Sequence, residues 1–591
     1  MKKQFFAAAM VLALGAGFTA CSSDDLNAKG GVEQVQKGTT YMSVSFTLPT
    51  GMSTRAAADG QDKDDPDFNH VGKWEGQDKI NKVLVYVFGD GDKLEVKHEY
   101  SGSDLAFVQK NAEGQAIVTP NSAFKVLPGN KKVYVVINPT QAAKDLLPDA
   151  VGTTLANFKA KYESDELALT KATRGTAYVS TDETRAGEIA KVENSGTDAK
   201  DVILMTGVNG ARMIDDEVSA SQAVSGQKNR VELKVQRAVA RVLVTTSAES
   251  FEIEGIDPAN PSGSAIKVAE ITDLTYVVAQ GEAKLYFLQN KLAAETDGSM
   301  FKTPAFSVVN EKHDYWSQDG LNNYVAVGTH YDYSGLWKST STGTIKGVKI
   351  PTRAAFDSNK ANELGKVTAD LRDGLDGEFI LPNLHKFDTD RSKTGYRKGN
   401  TAYILVRGLL KPKKYVDASG NISTAAVAGA QDWYLGANGV FYAKIEHVRD
   451  ITKHGVPGQT AQMYKGGKVL YFLWLNPDNT KKAVNSPTLR NNIYHVQISG
   501  VGKIGANWNP LIPFDPNDPS YPGKPGGSNP NDPTKPTFPD NPNNPDPRPD
   551  NDYEPKEPPV DPKDPLSFKE TWMSVNVTIL PWQIHSYSVV L

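Results

Sequence analysis

Nineteen prolines fall between Pro510 and Pro565. A chain with that density cannot carry a helix or a central strand through the interval, because each proline removes a backbone donor and fixes φ. In two stretches, 510–525 and 530–545, the prolines recur every third residue, which is the repeat of a polyproline II helix. The residues between them are mainly Asn, Asp, Gly and Lys and have little to bury. Residues 508–570 are therefore expected to form an extended, semi-rigid tether, of which Pro510 to Pro565 alone reaches on the order of 170 Å at about 3.1 Å per residue. Such tethers also serve as plain spacers, but here the chain beyond the tether is apolar. In residues 571–591, Met573, Val575, Val577 and Ile579 alternate with Ser574, Asn576 and Thr578, so the apolar set points one way. Pro581 interrupts the run, and Trp582 and Ile584 lead into a second extended piece. A lone strand cannot bury its apolar face, so this segment must pair with something.

The rest of the chain reads as mainly β. Runs of Val, Ile, Thr and aromatics, such as Val83 to Phe88, Val133 to Ile137, Val231 to Val235, Val239 to Thr245, Tyr403 to Val406, Val469 to Leu475 and Ile493 to Ile498, lie between Gly, Asn, Asp and Pro clusters. Helical periodicity is scarce, and is clearest at Thr154 to Tyr162, where Leu155, Phe158 and Tyr162 share one side behind a Thr cap. Short strands without a βαβ rhythm point to sandwiches rather than a parallel sheet. A chain of 591 residues exceeds one ordinary domain. The expected division is one β-sandwich over 56–236 and a second over 237–507, preceded by a leader, 21–55.

The leader contains a second copy of the C-terminal pattern. In residues 41–49, Met42, Val44, Phe46 and Leu48 form the apolar face. Laid over Trp572 to Ile579, the segment from Tyr41 matches with Met, Ser, Val and Thr identical, Tyr facing Trp, Ser facing Asn, Phe facing Val and Leu facing Ile. Alternating strands resemble one another by chance, but two segments with one face pattern also suit one groove. Just after the leader strand, Gly51 to Gly60 is small, polar and nickable, and an Arg-specific protease would cut between Arg55 and Ala56.

The first twenty residues read as a secretion signal. Lys2 and Lys3 precede an apolar run from Phe5 to Phe18 that is too short to span a bilayer with polar flanks. Phe18-Thr19-Ala20-Cys21 resembles a bacterial lipobox, in which the signal is cut before the cysteine and the thiol is acylated; a generic signal with a stray cysteine is the alternative. Ser22-Ser23-Asp24-Asp25 resembles the acidic tract that sends some Bacteroidetes lipoproteins to the outer face of the outer membrane. Cys21 is the only cysteine, which excludes an internal disulfide and any multi-cysteine metal site.

These features imply a mechanism. Residues 41–49 fill a groove in the first domain; cleavage after Arg55 frees them; the groove then takes the C-terminal strand of another copy by β-strand addition. Head-to-tail exchange does not close on itself, so it builds a filament. Burying four apolar side chains at about 1.5–3 kcal/mol each gives roughly 6–12 kcal/mol per junction before ordering costs. If Arg55 is cut, Cys21 leaves with the leader.

The chain resembles the fimbrillins of Bacteroidales, the type V pilins. The resemblance rests on the lipobox, the long leader, the Arg site, the β-rich body, the apolar C-terminal strand, and stretches such as Val83-Leu84-Val85-Tyr86-Val87-Phe88, Val135-Val136-Ile137-Asn138-Pro139 and Arg237-Ala238-Val239-Ala240-Arg241-Val242. The second half and the terminal strand look most like a minor-fimbria shaft subunit. The resemblance implies two transthyretin-like sandwiches in tandem, lipoprotein export, maturation at Arg55 and donor-strand assembly. It also implies other copies of the chain, anchor and tip subunits and an Arg-specific protease as partners, with location on a surface fimbria and a role in adhesion.

Other classes have weaker support. The net charge is −4 and the basic residues form no stripe, so nothing draws the chain to nucleic acid. The nine histidines are scattered without an HExxH pair, and no nucleophile elbow or P-loop occurs. No cofactor or metal is implied. Asp59 to Asp67 is acidic but lacks the Gly and distal Glu of an EF-hand loop and reads as a solvated tail. The aromatics Tyr315, Trp316, Tyr324, Tyr331, Tyr333 and Trp337 suit either packing or sugar stacking. A monomeric surface lipoprotein that binds a glycan or a protein stays open; it would keep Cys21 and need no cut at Arg55. A tip or anchor adhesin also stays open, although a tip protein has no use for a free donor strand.

Overall fold

The computed structural model describes residues 39–48; 78–306 apart from 106–107, 111–115, 165–166, 169–188, 194–199, 283 and 292–300; 331–332; 348–353; 377–505 apart from 387–393, 397–399 and 478–484; and the segments 540–541, 544–545, 573–578, 584–585 and 587–589.

Valine-rich runs build the centre of the first sheet. Its strands are β1 (Thr40–Leu48), β2 (Lys82–Phe88), β3 (Leu94–Ser101), β4 (Val108–Lys110), β5 (Ala116–Val118), β6 (Phe124–Val126), β7 (Gly129–Ile137), β8 (Met205–Ile214) and β9 (Arg230–Arg237). The order is β3-β2-β7-β8-β9-β1-β5-β4, with β6 also on β1. In β2 every residue after Lys82 is buried, as a near-continuous apolar run requires when both faces are covered. β9 keeps the predicted alternation, with Val231, Leu233 and Val235 buried and Glu232 and Lys234 exposed. The β2–β3 reversal places Gly91 and Asp92 at positive φ, a geometry that glycine adopts freely and aspartate tolerates.

Three short helices lie on this sheet: α1 (Gln141–Leu146), α2 (Leu155–Tyr162) and α3 (Ala220–Ser225). Thr154 caps α2 by accepting from the Asn157 amide at 3.3 Å, so the predicted helix starts where its cap indicates. Its apolar side seats Phe158 against Tyr86, Phe88 and Tyr134, with ring centroids 4.8, 5.0 and 5.3 Å away. Tyr162 reaches deeper. Its hydroxyl lies 2.8 Å from the Val135 carbonyl and 2.9 Å from that of Gly207, and accepts from the Gly207 amide at 3.1 Å.

The first sheet ends at Arg237, and β10 (Ala240–Thr246) opens the second half. β11 (Phe251–Gly255), β12 (Ile266–Ala279), β13 (Tyr403–Pro412) and β14 (Lys468–Trp474) form one sheet in that order, while β10 pairs in parallel with β15 (Ile493–Val501) in another. Tyr276 of β12 crosses between them, donating to the Val242 carbonyl of β10 at 3.1 Å. One apolar core runs from Met42 through Val244 and Ile404 to Ile498. The architecture is mainly β, in curled, sandwich-like sheets, as the strand pattern predicted.

The junction is held by buried charge. Arg237 grips Asp78, with Nε 2.9 Å from Oδ1, and donates Nη1 to Asn491 Oδ1 at 2.9 Å. Arg241 meets Asp201 at 3.3 Å with both side chains buried. Within the proline tract, Asp540–Asn541 pairs antiparallel with Asn544–Pro545, a local reversal where the sequence predicts continuous extension; the rest of 508–570 lies outside the described residues.

Tyr162→Phe is expected to leave the buried Gly207 amide without its hydroxyl acceptor and the carbonyls of Val135 and Gly207 without the one proton they share, and to cost about 1–3 kcal/mol. In denaturant unfolding this reads as a lower midpoint at unchanged m value. An unchanged midpoint would show that the hydroxyl contributes nothing.

Candidate functional site

β1 lies in a slot and pairs along both of its edges. On one edge it runs parallel to β9, Ser43 opposite Arg230 through Thr47 opposite Lys234. On the other it is antiparallel to β6 over Thr40–Met42 and to β5 over Phe46–Leu48. The β9 edge is extended by Tyr41 N–H to the Val218 carbonyl at 3.1 Å and Ser43 N–H to the Asn229 carbonyl at 3.0 Å. Met42, Val44 and Phe46 are fully buried and Leu48 is 1% exposed, all in the main core.

The opposite face, which the sequence left to solvent, is covered too. Tyr41, Ser43 and Ser45 are buried and Thr47 half-buried, and Tyr41 packs with Ala123, Val218 and Ala223. The cover is α3. Ser219 and Gln222 form its capping box, and Gly226 ends it in the left-handed region at φ 78°, where a glycine C-cap satisfies the last carbonyls. Ser43 Oγ donates to the Ala223 carbonyl at 2.6 Å. Asn229, itself at φ 53°, reaches Thr40 Oγ1 at 3.2 Å and the Tyr41 carbonyl at 3.0 Å. The Val218 amide donates to Thr40 Oγ1 at 3.0 Å. Sequence reasoning missed this cover, although Ser219, Gln222 and Gly226 carry the start and stop signals of a helix.

Cations border the slot: Lys125 Nζ lies 5.7 Å from the centre of the Tyr41 ring. Behind β6, His98 stacks on Phe124 with centroids 4.5 Å apart and meets Tyr100 edge-on at 4.4 Å. Burial pushes His98 down to about 4, more than offsetting the nearby Glu99, so it is neutral near pH 7. Among the described residues no group of three His, Cys, Asp or Glu side chains is placed to hold a metal ion, and no helix is long and apolar enough to cross a membrane.

The C-terminal segment is placed differently from the sequence expectation. Rather than standing free of its own chain, β16 (Met573–Thr578) pairs antiparallel with β15, Val501 opposite Met573 through His495 opposite Thr578, with a register shift between Ile498 and Gly500. β17 (Tyr587–Val589) closes back on Val575–Val577, and Ile584 lies opposite Ile493 in parallel. The reason is that β15 carries β10 on one side only, and an unpaired sheet edge is a template for any strand within reach. Met573, Val575 and Val577 occupy alternate positions on β16, as predicted. Ile579, Trp582, Cys21, Arg55, Ala56 and the Asp59–Asp67 run lie outside the described residues, as do the aromatics at 315–337 apart from Tyr331, which lies in a two-residue strand on Gly281–Glu282.

Comparison with known proteins returns consistent matches. The family described as major fimbrial subunit protein (FimA) matches residues 40–234, from the first residue of β1 into β9. Major fimbrial subunit protein type IV, fimbrillin, C-terminal, matches residues 462–588, which takes in β14, β15 and β16. The minor fimbrium subunit Mfa1 of Porphyromonas gingivalis is 32% identical over 598 aligned positions, covering 100% of this chain and 99% of that protein. Among solved structures, a fimbrilin from P. gingivalis aligns with a TM-score of 0.29 at 13% identity, over 79% of this chain and 92% of that one. The tip fimbrial protein Mfa3 of P. gingivalis aligns with a TM-score of 0.28 at 9% identity, over 79% and 97%.

Phe46→Ala empties a fully buried ring site in the slot and is expected to lower stability by about 3–5 kcal/mol. Hydrogen exchange at the 230–234 amides should quicken in the same variant, because the parallel ladder loosens. Wild-type protection there would mean that β1 does not hold β9.

Proposed function

The chain belongs to the fimbrillin family and is a subunit of a cell-surface fimbria, a structural protein of a non-enzymatic family, and from that premise we propose that it is made as a lipoprotein precursor and polymerises by strand exchange. In this reading Cys21 carries the lipid that takes the precursor to the outer membrane. An Arg-specific protease cuts between Arg55 and Ala56. β1 then has no covalent tie to the body of the subunit and leaves with Cys21. The vacated slot takes residues 572–579 of the next copy, and anchor and tip subunits terminate the filament, which serves adhesion.

The observation that carries the reading is the slot itself. β1 satisfies a ladder on each side and buries both faces, and the chain holds a second segment with the same face pattern at Trp572 to Ile579. The two docking places differ in quality. On β15, the outer edge of β16 is paired, among the described residues, at Val575, Asn576 and Val577, by Val589, Ser588 and Tyr587. In the slot, a strand would gain a partner along most of both edges and the cover of α3. While Arg55–Ala56 is intact, β1 competes for the slot at a high effective concentration that no second molecule matches; cutting removes that advantage. The pairing of β16 within one chain suits a self-contained monomeric lipoprotein equally, so the deciding facts are the cut and the polymer.

Arg55→Ala is expected to trap unpolymerised precursor that retains an acylated Cys21, read by N-terminal analysis and by the absence of high-molecular-weight material in sheared surface fractions. Undiminished polymer from that variant would sink the trigger. Deleting residues 572–591 should leave a secreted, folded subunit that cannot extend a filament. Normal filaments from the deletion would remove the donor-strand assignment while leaving the fimbrial one untouched.

A further inference from the structure

Among the described residues, the buried arginines Arg237 and Arg241 come with carboxylates and Arg490 does not. Arg237 has Asp78 and Arg241 has Asp201. Arg490 is as deeply placed, 5% exposed, and its partners are all neutral. Nε donates to the Arg237 carbonyl at 3.0 Å, and Nη1 donates to the carbonyls of Tyr286 and Phe287 at 3.2 and 3.3 Å. Nη2 is buried with no acceptor among the described residues. Burial lowers the guanidinium only to about 10, so it stays charged at neutral pH. A buried cation without a counter-charge is costly, and its carbonyl partners stabilise it without neutralising it.

Arg490 lines a small, shallow cleft that opens to solvent. The cleft forms where the paired segments Asn290–Lys291 and Phe301–Lys302 meet the 284–286 segment and Pro382. Two more cations stand on its lining, Lys284 and Lys302, both exposed. Lys302 Nζ lies 6.0 Å from the centre of the Tyr286 ring. Among the described residues no Asp or Glu lines the cleft, and neither lysine has a carboxylate partner. Leu285, Phe301 and Leu384 supply apolar wall. The result is a concave, partly apolar surface with three cations among its lining residues, one of them buried and with an unused donor.

We propose that this cleft binds a compact oxyanion, a carboxylate or phosphate group, with Arg490 Nη2 as the buried donor and Lys284 and Lys302 as the charges that draw the anion in. The apolar wall beside them receives the body of the molecule when the anion is carried on an organic frame such as an acidic sugar. The site lies at the junction of the two halves and is separate from the slot of β1, so it operates whether or not strand exchange does.

The test uses the full chain and two probes, inorganic phosphate and glucuronate, at fixed ionic strength with chloride as control. A saturable rise in Tm is expected with at least one probe and none with chloride. The double variant Lys284→Gln/Lys302→Gln, both positions being exposed, should fold normally and weaken the apparent affinity at least tenfold. Arg490→Met should abolish the response; if that variant does not fold, the lysine pair alone decides. Tighter glucuronate than phosphate assigns the site to anions on an organic frame, and the reverse order assigns it to inorganic anions; either supports the site. No saturable shift with either probe, or a shift of equal affinity in the lysine variant, overturns it.

Discussion

A strand edge buried inside a sheet must be paired, because its N–H and C=O groups have no water to turn to. In this protein that requirement falls on β9 on one side and on β5 and β6 on the other, and a single segment, β1, meets it for both. The parallel order β9-β1 brings together strands nearly two hundred residues apart, so neither neighbour can reach the other without an insert. Losing β1 therefore exposes two ladders and the floor of a core at once. The rest of the first sheet has its own pairings, β2 with β7 and β7 with β8, none of which involves β1.

The junction between the halves works by a different principle. There the chain passes from β9 to β10 through Arg237 and Arg241, and each guanidinium is anchored to a carboxylate from elsewhere in the fold. Ion pairs of this kind add little net stability over an apolar contact of the same volume but penalise any misplacement severely. They fix register where the hydrophobic core, continuous across the junction, would tolerate sliding.

Strand centres were legible in the sequence because Val, Ile and aromatic runs mark them. Strand ends were less so: β7 starts at Gly129 and β15 runs to Val501, both through residues that join a ladder by backbone geometry alone. The apolar face of β1 was readable by alternation, but the burial of Ser43 and Ser45 was not, since serines on an alternating strand look wet until a helix covers them. That helix, α3, is six residues long, too short for periodicity to register. The pairing of β16 with β15 depends on which sheet edge is open, a property of the assembled fold. Arg490 is one arginine in a polar run, and nothing in its neighbours in sequence says that it is buried without a carboxylate.

In the full chain both of these edges are closed, the slot by β1 and the outer side of β15 by β16. Exposed seams of this kind are what make crowded chains precipitate. On the strand-exchange proposal, a molecule that wears its own covers is colloidally inert until it is cut. Under that proposal concentration alone does not start its condensation; a change in covalent connectivity does.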